Sequence, residues 1–154
     1  MNKLIITTVL VAGLAGGLIP TTTAHAAKWT TGAPKAIQGA WTKQARVNGY
    51  LGYQTTVTTD AVMLSPKWLY AMSDRGHRDY GGNHLAYQRT GNAYRLKSYD
   101  RLEQQWTYTR IHRAGKTITA QEYGYRKAGR AFRTTTRPSY RLHYSPKLST
   151  PLLK

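Results

Sequence analysis

Cysteine is absent from this chain, and acids are scarce: six Asp and Glu stand against 23 Lys and Arg. Without cysteine there is no disulfide staple, no thiolate-held metal and no lipid-modified cysteine anchor. An exported domain built without staples suits a bacterial rather than an animal secreted protein. Six acids leave little room for carboxylate chemistry. A glycosidase needs two carboxyls held about 5 to 10 Å apart, and the spacing of Asp60, Asp74, Asp79, Asp100, Glu103 and Glu122 picks out no pair. A Gly-rich phosphate loop and a serine nucleophile elbow are also missing.

The first segment has the three parts of an export signal. Lys3 makes the n-region positive, Leu4 to Ile19 form an apolar run, and Pro20 breaks it ahead of Ala24-His25-Ala26. Small residues at that point are what signal peptidase requires. The run holds Gly13, Gly16 and Gly17 and is shorter than the roughly 20 apolar residues of a membrane span. Residues 1–26 are therefore expected to be a cleaved signal peptide, with no transmembrane anchor. A flexible leader (27–33), one domain (34–145) and a C-terminal tail (146–154) follow. The product is expected to be secreted and extracellular, released or held non-covalently on the cell wall.

The signal takes away one lysine and no acid, so the net charge of +17 passes almost whole to the mature domain. A field of that size attracts any polyanion. The expected partners are anionic wall polymers, teichoic acid or polysaccharide, with nucleic acid a further possibility through charge. The densest cluster is Arg126, Lys127, Arg130 and Arg133, a candidate basic turn. Tyrosine (12) and tryptophan (4) supply the stacking groups that single-stranded nucleic acid would also need.

Short segments rich in Thr, Tyr, Val and Trp alternate with Gly, Asn and Pro. Strands are expected over 38–46, 50–58, 68–73, 84–89, 93–99, 104–113, 116–125 and 130–137, with turns at 47–49, 79–83, 90–92, 114–115 and 127–129. The clearest alternation sets Trp106, Tyr108 and Arg110 against Thr107, Thr109 and Ile111. Many short strands at regular spacing predict an all-β fold, an antiparallel barrel or sandwich.

Near the start of the mature chain stands Pro34-Lys35-Ala36-Ile37-Gln38-Gly39-Ala40-Trp41. It resembles the opening of small secreted proteins of lactic acid bacteria, a group largely of unknown function. Gly39 and Trp41 also resemble the Gly-x-Trp opening of lipocalin-like barrels. That resemblance implies a barrel closed at one end by Trp41, with an interior able to take a small ligand.

Asp74-Arg75-Gly76-His77 matches a motif of secreted non-specific DNA/RNA endonucleases. In that family the histidine is the general base and a later asparagine holds magnesium. The match makes His77 and Asp74 the candidate catalytic residues of a magnesium-dependent nuclease. The available asparagines, Asn83 and Asn92, lie in Gly-bearing sequences without the family's Pro-Gln context. His77 and His84 with Asp74 or Asp79 would make a sparse metal site, and isolated exposed histidines are expected instead. The leading expectation is a non-catalytic basic domain without cofactor or metal. A small-ligand barrel and the nuclease are the alternatives.

Overall fold

The computed structural model describes residues 28–48, 52–74 and 79–152. The export signal and residues 75 to 77 of the Asp-Arg-Gly-His motif lie outside them. Period-two alternation produces ten antiparallel strands: β1 (Thr30–Thr31), β2 (Gly39–Asn48), β3 (Gln54–Leu64), β4 (Leu69–Ser73), β5 (Tyr80–Thr90), β6 (Ala93–Asp100), β7 (Gln105–Ala114), β8 (Thr117–Lys127), β9 (Arg133–Thr134) and β10 (Tyr140–Ser145). In β7, Thr107, Thr109 and Ile111 are buried and Arg110 is exposed, as the alternation predicts.

The strands from β2 to β8 each pair with the next, and β10 returns between β8 and β2. Pairing of β5 with both β4 and β6 closes eight strands into a ring. Closure leaves few open edges for other chains to pair with. β1 and β9 lie off the ring, on β5 and β8. Past the irregularity at Lys43/Gln44, β2 and β3 pair only with each other, and both arms are largely exposed.

The apolar core gathers around Trp41, Leu64, Leu96, Ile111, Ile118 and Leu142. Trp41 is 2% exposed, and its indole Nε1 donates to the Ile37 carbonyl at 2.8 Å, in a 3-10 turn (Lys35–Ile37). A short helix, α1 (Pro146–Ser149), closes over the same end. Ser149 Oγ accepts from the Ala40 amide at 2.8 Å and donates to the Ser145 carbonyl at 2.6 Å. Gly39 permits this closure. A Cβ there would lie 2.8 Å from both Ser149 Oγ and the Tyr144 ring.

β10 forms where no strand is expected, and two further elements differ from the sequence expectation. Residues 79–83 are not a turn, since β5 begins at Tyr80 and runs straight through Gly81-Gly82. These glycines serve close approach: a Cβ on Gly82 would sit 2.0 Å from the Tyr99 carbonyl oxygen. They let β5 leave β4 and take up β6. The strand expected over 130–137 is also reduced to Arg133–Thr134. Phe132 turns out against aromatic rings, and Pro138 has no N–H for a ladder.

Gly82→Ala is expected to lower stability by about 3 kcal/mol or more, because backbone stands where the methyl would go. Gly91→Ala, in an open turn at φ 60°, should lose only about 1 kcal/mol. Urea melts of the two variants check the contrast, and equal losses would contradict the crossing role of Gly82.

Candidate polyanion-binding face

Three of the six carboxylates are drawn inside, while Asp74 and Asp79 are exposed and Glu103 is half-buried. Asp60, Asp100 and Glu122 are buried, at 1%, 8% and 2% exposure. Each is held by local donors. Asp60 accepts from the Ser73 hydroxyl at 2.6 Å and from Thr59 at 3.3 Å. Asp100 Oδ1 caps the amides of Leu102 and Glu103 at 3.0 and 3.1 Å. Glu122 pairs with the Arg137 guanidinium at 2.7 Å. Among the described residues no lysine or arginine is buried. The exterior is therefore more cationic than the net charge indicates.

The polar half of the interior also holds Tyr80, whose hydroxyl burial pushes well above the usual tyrosine range. The Thr109 hydroxyl pulls the other way, and the Glu122 carboxylate adds to the rise. Arg137 lies 5.9 Å over the Tyr80 ring.

On the outside, β6, β7 and β8 present a row in which rings and cations alternate. Lys97 of β6 pairs in register with Tyr108 of β7, Tyr99 with Trp106, and Arg95 with Arg110. Lys97 Nζ sits between two indoles, 4.9 Å from Trp29 and 5.1 Å from Trp106. Trp29 comes from the segment before β1 and meets Tyr108 edge-on at 6.2 Å. Tyr99 meets Trp106 at 5.4 Å, and His84 extends the row at 6.5 Å from Tyr99. On the other flank Phe132 contacts Tyr108 at 5.1 Å and Tyr123 at 6.1 Å, with Arg110 5.4 Å over Tyr123. Half-burial raises the Tyr123 phenol, while Arg95 and Arg110 draw it back. Exposed contacts of this kind are worth about 0.5–1 kcal/mol each. They fix the side chains without covering them.

The basic turn adjoins this row. Arg126 is the register partner of Trp106, and residues 126 to 133 are all exposed. The Arg130 amide bonds the Lys127 carbonyl at 3.1 Å to close the turn. Lys127, Arg130 and Arg133 line a pocket of about 400 Å³ with Tyr125. Phe132 anchors the turn to the row, so the expected binding cluster and the aromatic face are continuous.

The other expected site residues lie elsewhere. Asp74 is exposed after β4, its amide on the Thr59 carbonyl at 2.8 Å. Asn92 is in the β5–β6 turn, at the opposite end of the ring from the β4–β5 connection, and bonds the Arg113 backbone. Asn83 lies within β5. His77 lies outside the described residues. His84, His112 and His143 are exposed, on β5, β7 and β10. Among the described residues no three His, Asp or Glu gather to hold a metal. Gly39 and Trp41 sit at the plugged end. Sequence reasoning missed Trp29, Lys97 and Phe132 as parts of the face. Comparison with protein-family models, with curated proteins and with solved structures gives no match.

Above about pH 10 the unfolded chain releases the Tyr80 proton while the folded chain keeps it, so stability falls as pH rises. Tyr80→Phe should flatten this fall by about 1.4 kcal/mol per pH unit. Urea melts between about pH 10.5 and 11.5 check it, and identical slopes would show that Tyr80 titrates normally.

Proposed function

We propose that the protein is an exported, non-catalytic binding module that holds anionic wall polymer, teichoic acid or acidic polysaccharide. The outer face of β6, β7 and β8 together with Arg126, Lys127, Arg130 and Arg133 makes the contact. The observation that carries this reading is the ring-and-cation row, whose strands present no carboxylate outward. Cations attract phosphate or carboxylate groups along a chain. The rings between them offer apolar surface for the glycerol or sugar carbons that link those groups. Nucleic acid, with its stackable bases, would use the same surface by the same physics.

A second reading is a lipocalin-like barrel that takes a small apolar ligand. It is favoured by the placement of Trp41, buried at one end with its indole tied to Ile37. The two readings differ in what salt does, since an interior apolar ligand is indifferent to screening.

The mature protein is expected to bind isolated cell walls at about 50 mM salt and to leave them at about 1 M, as screening shortens the reach of each charge. Replacing Arg126, Lys127, Arg130 and Arg133 together by glutamine should weaken binding at low salt about 10-fold or more. Co-sedimentation with the wall fraction measures both. Equal retention at the two salt concentrations would refute the electrostatic reading.

A further inference from the structure

A separate pocket of about 560 Å³ opens at the plugged end of the ring, a size that suits a small ligand. Its walls are Lys35, Gln38 and Trp41 from the opening motif, Arg113 and Lys116 from the β7–β8 hairpin, and Tyr144 of β10. Three cations thus surround two aromatic rings, and among the described residues no carboxylate lines the space. Arg113 is fixed in position. Its Nε donates to the Gly115 carbonyl at 3.0 Å, Nη1 donates to the Ala36 carbonyl, and the guanidinium lies 5.8 Å over the Trp41 ring. Tyr144 meets Trp41 edge-on at 5.0 Å and keeps 37% of its surface exposed.

Like charges gathered without a counter-charge repel one another, and a bound anion relieves that repulsion. The exposed apolar face of Tyr144, backed by Trp41, sets a second requirement that a bare inorganic ion does not meet. We propose that this pocket binds a small organic anion, a phosphate or carboxylate head carried on one flat apolar ring. The head lies among Lys35, Arg113 and Lys116, and the ring packs on the exposed part of Tyr144, which itself rests on the buried Trp41. The pocket and the polymer face draw on different side chains, so this site stands whether or not the face binds wall polymer.

The probes are phenyl phosphate, inorganic phosphate and phenol, titrated into the mature protein while the Trp41 indole N–H is followed by NMR. Phenyl phosphate should shift that resonance and bind at least about 10-fold more tightly than either part alone, since charge and ring contribute together. The doubly substituted Lys35→Gln, Lys116→Gln variant keeps Arg113 and with it the fold, and should lose that affinity about 10-fold. The Arg95→Gln, Arg110→Gln variant of the outer face should keep it. Phenyl phosphate binding no better than inorganic phosphate, or the two variants losing affinity equally, would overturn the proposal.

Discussion

Burial of carboxylates inside the ring is the constraint from which the rest of the surface follows. A buried carboxylate must be paired or hydrogen-bonded, and Asp60, Asp100 and Glu122 meet that demand with hydroxyls, backbone amides and one arginine. Breaking such a buried pair by removing one partner is costly, about 3–5 kcal/mol. The Glu122–Arg137 contact therefore holds the interrupted return from β8 to β10, where Pro138 weakens the ladder. Gln121 and Thr135 reinforce the same stretch with bonds to the Arg137 and Glu122 carbonyls, at 2.9 Å each.

Because those acids face inward, the cations outside are left with few anions to pair with. They are held by aromatic faces instead, as with Lys97 between two indoles and Arg110 over Tyr123. A cation over a ring keeps its charge available to a partner, whereas a cation in a salt bridge has it neutralised. The same arrangement recurs at the plugged end, where Arg113 lies over Trp41. The fold and the proposed binding thus share one partition: Asp60, Asp100 and Glu122 turned in, and the cations left outside among the rings of the face.

Strand content was legible where alternation was strict. The expected strands over 93–99, 104–113 and 116–125 match β6, β7 and β8 closely, because each alternates buried and outward residues and is bordered on at least one side by a Gly-bearing turn. The Gly81-Gly82 stretch was not legible, since glycine in a crossing strand and glycine in a turn look alike in sequence. Nor was β10, a stretch of six residues in which Tyr140 and Leu142 alternate with Arg141 and His143 but for which no strand is expected. The cluster of Arg126 to Arg133 could be found from charge alone. Its union with Trp29 and Lys97 could not, because Trp29 is distant in sequence and reaches the face only through the β1–β5 pairing.

The partition is tested most directly by mapping where a polyanion touches the protein. A short poly(glycerol phosphate) oligomer titrated into the labelled mature protein would shift amide and indole N–H resonances at its contact surface. The account predicts shifts at the Trp29 and Trp106 indoles and at the backbone of β6, β7 and residues 126 to 133, with Trp68, which stands just before β4 beside Leu69 and Tyr70, unmoved. Shifts spread evenly over every basic residue, or confined to a surface away from β6, β7 and β8, would contradict it.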